Sequence, residues 1–393
     1  MADRTHNEIE NSRNGRHSDR LVYEFNLQDC EERANLQFED FTETLTEQLV
    51  QQINSNPSLV NDIDIIFRYT SEGTLWLVNG EYWAGTIHKF AKKYNIPLQN
   101  ITFLSGSGTV QSSYDKWHKI YAPNEDKFKC DYEHFGFYLY GKNKRYYDHL
   151  KFTTEPPTEL RKHKFNCFNR NMLAHRQRFM LSMWEKGLIE TDKLTSFHYY
   201  NNVDTMDKFP VPDDLLELLP IQCDIKGDWQ TAFDTLFEVV EWTGDDGGDW
   251  NKVGDYRYVY ENCYFTVTTE SSECFTLADQ FNEEHINDYF RPFHTEMFIT
   301  EKTTRPMLNL HPQLIYCCTG TLDHLKGMGY KTFNNYWNED YDNETDPIKK
   351  VNMLTDVIKQ LNDKPIEELH EMYWDMMPIL KHNQDLLINQ KIS

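Results

Sequence analysis

Short apolar segments alternate with amphipathic segments along most of this chain, and this alternation constrains its fold more than any other feature. In the first half, apolar runs predict buried strands at 63–69, 75–79, 101–104 and 135–140, and the intervening pattern predicts helices at 83–94 and 109–120. In the second half, the predicted strands are 165–168, 194–199, 264–269, 297–300 and 313–318, with helices at 172–186, 322–328 and 347–361. Strands that alternate with helices are typical of parallel sheets covered by helices, so the sequence predicts an α/β fold.

The chain of 393 residues is long enough for two domains of ordinary size. The best candidate linker is Thr-Thr-Glu-Pro-Pro-Thr at 153–158, because two adjacent prolines stop regular structure. We therefore predict a disordered tail at 1–20, an N-terminal α/β domain at 21–157, a second α/β domain at 158–361 and a helical segment at 362–393. A ligand cleft is expected between the domains or at the carboxyl ends of the second sheet.

The net charge of −23 limits the partners that the protein can have. Such a charge repels nucleic acid and anionic membranes at long range, so a nucleic-acid-binding module is not expected. No apolar run approaches the ~20 residues needed to span a bilayer, and residues 1–20 lack the apolar stretch of a signal peptide. The eight cysteines include no C-x-x-C pair, which favours free buried thiols. These features together predict a cytoplasmic protein, and any anionic ligand must be held by a local basic cluster.

The most informative segment is FITEKTTRPMLNLHPQLIY at 298–316. An apolar stretch ends at adjacent acidic and basic residues, Glu301 and Lys302, and a helical pattern follows. A carboxylate can accept hydrogen bonds from vicinal sugar hydroxyls, while a lysine and a helix N-terminus attract phosphate. The alternative interpretation is a surface ion pair at a helix start, which would contribute little stability.

The second informative segment is FNCFNRNMLAHR at 165–176, where a predicted strand leads into a helix. Arg170, His175 and Arg176 lie near the start of that helix, where the helix dipole disfavours cations by about 0.3–1 kcal/mol each. A bound anion would remove this conflict, because arginines and exposed N–H groups could then converge on one phosphate. The alternative is that the arginines point into solvent or pair with nearby acids.

These two segments, with YENCYFTVTTES at 260–271 and GMGYKTF at 327–333, occur in an order and spacing that resembles a known family. The chain resembles glycosyltransferases related to the α-1,3-fucosyltransferase family, particularly their cytosolic relatives encoded by phages and bacteria. The resemblance covers about residues 161–361 and does not extend to residues 1–160. It implies the GT-B architecture, in which two Rossmann-like α/β domains face a cleft and the C-terminal domain holds a nucleotide sugar.

The resemblance also implies roles for individual residues. Arg170 would contact the donor diphosphate, Glu301 the nucleotide ribose, and Lys302 a phosphate. Glu270, at the end of a predicted strand, would lie near the sugar, and His175 and Arg176 are further donor-binding candidates. No metal site or other cofactor is expected, because these cations could stabilise the leaving diphosphate without Mg²⁺.

The catalytic base is where this chain departs from the family pattern. Family members are inverting enzymes thought to take their base from the N-terminal domain, which would bind the acceptor, but no residue here aligns with that base. Glu81 and Glu155 are candidates only because they follow a predicted strand or lie near the expected cleft, and the alternative interpretation of each is a solvated carboxylate. The expected function is metal-independent transfer of a sugar from a nucleotide-diphosphate donor, with GDP-fucose as one candidate, to a hydroxyl of a glycan or other acceptor. The alternative is a non-catalytic binding or virion-associated protein that retains the fold.

Overall fold

The computed structural model describes residues 20–26, 38–69, 77–78, 81–133, 152–169, 174–189, 194–197, 257–270 and 297–389. These residues form two compact units. The first comprises the described residues up to Gly106 together with Val110–Tyr132, and the second comprises Ser107–Thr109 and the described residues of Glu133–Asn389. The α/β class is confirmed, whereas the GT-B arrangement and the boundary at 157/158 stay predictions.

The described strands of the first unit are β1 (Leu21–Asn26), β2 (Ile63–Tyr69), β3 (Leu77–Val78), β4 (Glu81–Tyr82), β5 (Ile101–Ser105) and β6 (Lys129–Tyr132). Four of them form a parallel sheet whose strand order is β1-β2-β5-β6. In β2, every second side chain from Ile63 to Tyr69 is buried, as expected when one face of a strand packs on a core. A separate antiparallel pair joins β3 to β4.

Three α-helices belong to the described part of this unit: α1 (Phe38–Ser55), α2 (Trp83–Lys93) and α3 (Val110–Tyr121). Trp83, the first residue of α2, stacks on Phe103 of β5 with ring centroids 4.0 Å apart, which attaches the helix to the sheet. The predicted helices at 83–94 and 109–120 are confirmed to within one residue at each end. The strand β1 and the helix α1 were not predicted, and the predicted strand at 135–140 lies outside the described residues.

The described strands of the second unit are β7 (His163–Asn169), β8 (Leu194–Phe197), β9 (Cys263–Thr269) and β10 (Gln313–Tyr316). They form a parallel four-stranded sheet whose strand order is β10-β9-β7-β8. Every residue of β9 is buried, which explains its continuous apolar and threonine-rich sequence.

The described α-helices of the second unit are α4 (Ala174–Glu185), α5 (Arg257–Asn262), α6 (Glu301–Leu308), α7 (Thr321–Gly327), α8 (Pro347–Asp363), α9 (Ile366–Asp375) and α10 (Met377–Asn389). They pack around this sheet, with α8 against α4 and α6 against α10. Helix α4 ends at Glu185, and the φ of 63° at Gly187 allows the left-handed turn that follows the helix, as the sequence predicted.

One predicted strand is wrong. The segment 297–300 is buried and apolar but lies outside both sheets. Its last backbone N–H, at Thr300, donates to the side chain of Glu270 at 3.0 Å instead of to a neighbouring strand. Burial and β-propensity alone therefore did not distinguish this connecting segment from a strand.

Among the helices that the structure describes, none is both long and apolar enough to traverse a lipid bilayer.

The cysteines of the described residues are all buried and free, in agreement with the prediction from the sequence: Cys130, Cys167, Cys263, Cys317 and Cys318.

Candidate functional site

The first turn of α6 and the residues that support it form the candidate donor site, which we define as Glu270, Thr300, Glu301, Lys302 and Thr303. Glu270 directly follows β9, and Thr300 directly precedes α6. The site therefore lies at the carboxyl end of a parallel strand, where α/β proteins commonly bind ligands.

The carboxylate of Glu270 is fully buried and supports the start of α6. Its Oε1 accepts hydrogen bonds from the Thr300 backbone N–H at 3.0 Å and from the Thr303 hydroxyl at 2.5 Å. Its Oε2 accepts a hydrogen bond from the Thr300 hydroxyl at 2.7 Å. A buried carboxylate needs such donors to offset its lost hydration. In this structure, the Glu270 carboxylate therefore stabilises the N-terminal turn of α6, and any effect of Glu270 on a ligand is exerted through that helix.

Thr300 is the N-cap of α6, and its hydroxyl oxygen accepts a hydrogen bond from the Lys302 backbone N–H at 3.2 Å. Threonine is among the residues preferred at this position, because its oxygen pairs with an N–H that has no partner within the helix. Neither Thr300 nor Thr303 was singled out from the sequence. Thr300 could have been recognised by its place before a helical pattern, but the contacts to Glu270 join residues 30 or more positions apart.

Glu301 and Lys302 remain partly accessible, with side chains 18% and 29% exposed. Lys302 Nζ lies 3.1 Å from Thr300 Oγ1 and 3.4 Å from Glu301 Oε1. Partial burial raises the pKa of Glu301, but Lys302 and then Arg305 outweigh that effect and leave the pKa below its usual value. The site thus presents a hydrogen-bond-accepting carboxylate beside a cation at a helix N-terminus.

His175 and Arg176, in the first turn of α4, are both buried and contact the backbone that follows β9. His175 Nε2 donates to the Glu270 carbonyl at 3.0 Å, and Arg176 donates to the carbonyls of Glu270 and Thr269 at 3.1 and 3.3 Å. Burial, reinforced by the nearby Arg176, lowers the pKa of His175 to about 3, so the imidazole is uncharged at neutral pH. These contacts attach the start of α4 to the chain segment that carries Glu270.

The remaining predicted site residues are not brought to this cluster by the described structure. Arg170 lies outside the described residues, and so does the side chain of Glu81, whose backbone belongs to β4. Glu155 is exposed in an irregular segment of the second unit. Their assignments stay predictions.

Helix α6 is also attached to the sheet through its carbonyl groups. Pro306 has no N–H to donate to the carbonyl of Lys302, four residues earlier. That carbonyl accepts instead from the hydroxyl of Thr268, on β9, at 3.3 Å. The carbonyl of Thr303 accepts from the Gln313 amide at 2.9 Å. The first turn of the helix that carries the site is therefore attached to β9 and β10 by polar side chains.

Among the residues that the structure describes, no group of three or more His, Cys, Asp or Glu side chains is arranged to hold a metal ion. Comparisons of the chain with models of protein families, with curated proteins and with solved structures found no match.

Proposed function

We propose that this protein is a glycosyltransferase that moves a sugar from a nucleoside-diphosphate donor to a hydroxyl acceptor. The observation that carries the proposal is the partly exposed pair Glu301–Lys302 at the N-terminus of α6, next to the carboxyl end of β9. In the proposal the two units adopt the GT-B arrangement, and the second unit holds the donor.

The chemistry of the pair suits a ligand that carries both hydroxyls and phosphates. The ionised carboxylate of Glu301 would accept hydrogen bonds from the ribose hydroxyls, and Lys302 would face the diphosphate with the helix N-terminus. As the bond to the sugar breaks, charge develops on the leaving diphosphate. Lys302, together with Arg170, would stabilise that charge, so that no metal ion is required.

Inverting transfer also needs a base that removes the proton of the acceptor hydroxyl as the new bond forms. Glu81 and Glu155 remain candidates for this role. Glu270, His175 and Arg176 enter the proposal as positioning residues, because their side chains are buried and bonded to the backbone and hydroxyls around α6 and β9.

The first experiment is a thermal-shift panel of GDP, UDP, CDP, ADP and dTDP, with and without EDTA. At about 100-fold excess over Kd, the recognised nucleotide should stabilise the protein by about 2.7 kcal/mol, or several degrees. A shift for one base that survives EDTA supports the proposal. A uniform absence of shifts contradicts it.

Variants separate the proposed site from nonspecific binding. Lys302→Met keeps the aliphatic stem but removes the charge, and should weaken nucleotide binding about tenfold or more, because it deletes a charge-assisted contact of about 1.5–3 kcal/mol. Lys359→Met, which removes an exposed lysine on α8, is the matched control. Equal affinities for the two variants would refute the assignment of Lys302. Nucleotide binding without transfer to any acceptor would favour the non-catalytic alternative.

A further inference from the structure

A second cleft, separate from the candidate donor site, opens between α7 and residues 334–343. Its volume is about 560 Å³, within the usual range of small-ligand pockets. The cleft is polar, and four asparagines at its rim are exposed. The lining residues that matter below are Asp323, Lys326, Trp337, Glu339, Asp340 and Asp342.

Asp342 is a buried carboxylate with only half of its hydrogen-bonding capacity used. The residue is 2% exposed, and its Oδ2 accepts from the Leu322 backbone N–H at 2.9 Å. Its Oδ1 is buried without a hydrogen-bond partner. Burial raises its pKa to about 6, Lys350 opposes this rise, and Asp323 and Glu339 add to it. The protein itself thus leaves this acid incompletely compensated.

Two neighbouring side chains that line the cleft, Glu339 and Trp337, also have a buried polar atom without a hydrogen-bond partner. Glu339 Oε1 accepts from the Phe333 backbone N–H at 2.7 Å, whereas its Oε2 is buried without a partner. Trp337 is 7% exposed, and its indole N–H also lacks a partner. The Trp337 ring lies against Phe333 with centroids 5.0 Å apart, which fixes its position. A buried polar group of this kind destabilises the folded protein unless a partner is supplied.

The mixture of unpaired donors and acceptors selects the chemistry of a ligand. A metal cation would pair with the carboxylates but not with the indole N–H. An anion would pair with the indole but would be repelled by the acids around it. A hydroxyl group both donates and accepts, so one ligand with several hydroxyls can satisfy all three groups.

We propose that this cleft binds a neutral saccharide, with Asp342 and Glu339 accepting from its hydroxyls and Trp337 donating to one of them. The rim asparagines supply further donors and acceptors. Because the three unpaired atoms are covered in the unliganded protein, side chains of residues 334–343 shift outward when the saccharide enters. The inference does not depend on the nucleotide site, since the two sites share no residue.

The test is binding of the full chain to a printed glycan array, followed by titration of the best ligand. We expect a restricted set of neutral glycans to bind. Trp337→Phe keeps an aromatic ring but removes the N–H, and Asp342→Asn removes the charge and changes one acceptor into a donor. Each should weaken binding on the order of tenfold, as the loss of one good hydrogen bond implies.

The same variants have a second readout that a merely structural role would not produce. Without ligand, both should unfold at the same temperature as the parent or higher, because Trp337→Phe removes an unpaired buried N–H and Asp342→Asn removes an incompletely compensated buried charge. Trp374→Phe is the matched control, since that indole donates to His370 at 3.1 Å and does not line the cleft. It should leave glycan binding unchanged.

Three results would overturn the proposal. The first is that no glycan on the array binds. The second is that binding persists unchanged in both cleft variants. The third is that calcium chloride alone stabilises the protein, that Asp342→Asn abolishes the effect and that no glycan binds, which would make this a cation site. The nucleotide panel is independent of all three results.

Discussion

At the residue scale, two glutamates of one site have separate tasks because their surroundings differ. Glu270 is fully buried and receives hydrogen bonds from Thr300 and Thr303, whereas the side chain of Glu301 remains partly exposed beside Lys302. The family resemblance predicts that both lie near a donor ligand. Burial separates them, so that Glu270 supports the helix and Glu301 is available to a ligand.

Glu270→Gln should destabilise the protein by about 1–3 kcal/mol. The amide NH₂ of glutamine would face a donor that the carboxylate oxygen now accepts from, which leaves buried donors unpaired. Chemical denaturation at neutral pH measures the loss. Glu371→Gln, at an exposed position of α9, is the control and should change stability by less than about 0.5 kcal/mol. A loss no larger than that of the control would show that Glu270 does not support α6.

At the scale of the element, α6 is a short helix that tolerates an internal proline because the sheet supplies the missing partner. The Lys302 carbonyl, which Pro306 cannot serve, accepts from the Thr268 hydroxyl. That hydroxyl also lies 3.1 Å from Gln313 Oε1, an alternative acceptor for its single proton. The Thr268 side chain thus couples β9 to the helix that carries Lys302.

A double-mutant cycle can test this coupling. Thr268→Val removes the hydroxyl at nearly constant volume and should cost about 1–2 kcal/mol, because it deletes a partly buried hydrogen bond between β9 and α6. In a Pro306→Ala background, the new backbone N–H can serve the same carbonyl, so the cost should fall by about 0.5 kcal/mol or more. Unfolding free energies of the four proteins provide the measurement. Equal costs in both backgrounds would instead mean that the Thr268 hydroxyl donates to Gln313 Oε1 and not to the Lys302 carbonyl.

At the scale of the whole molecule, buried uncharged histidines link stability to pH. His311 donates to the Cys263 carbonyl at 2.8 Å and lies 2.9 Å from the Thr266 hydroxyl. Burial, with Arg161 nearby, lowers its pKa to about 3, as burial also does for His175. Since an unfolded histidine has a pKa near 6.5, the unfolded chain binds more protons between these values. Stability from these groups is therefore present above pH 6.5 and is lost as the pH falls toward 3.

The contribution of one histidine can be isolated by comparing the parent with His311→Asn. Between pH 7 and pH 5, the parent should lose about 2 kcal/mol more stability than the variant, which has no imidazole to protonate. Asp342, whose raised pKa gives the opposite sign, titrates in both proteins and cancels in the difference. Urea unfolding at the two pH values is the measurement. Parallel pH dependences would mean that His311 is not held neutral.

Much of the α/β organisation was predictable from local pattern. The apolar run of β9, the amphipathic pattern of α8 and the glycine that ends α4 are signals carried within a few residues. Such signals depend on side-chain periodicity and backbone preferences, which need no distant partner. The sequence also singled out Glu301 and Lys302, because adjacent opposite charges before a helical pattern are a local signal that needs no knowledge of the fold.

Only the tertiary structure decided which polar groups are buried together. The extended segment 297–300 has strand-like residues, but its N–H at Thr300 pairs with Glu270, 30 positions away. Likewise, the cleft beside Asp342 depends on an indole and two carboxylates that share a buried environment. Hydrogen bonds between residues far apart in the sequence produce no periodic pattern, because the partners are brought together only when the chain folds. The sequence alone therefore determined many of the elements and their alternation, because those depend on local pattern, whereas the fold determined the partners of their polar side chains.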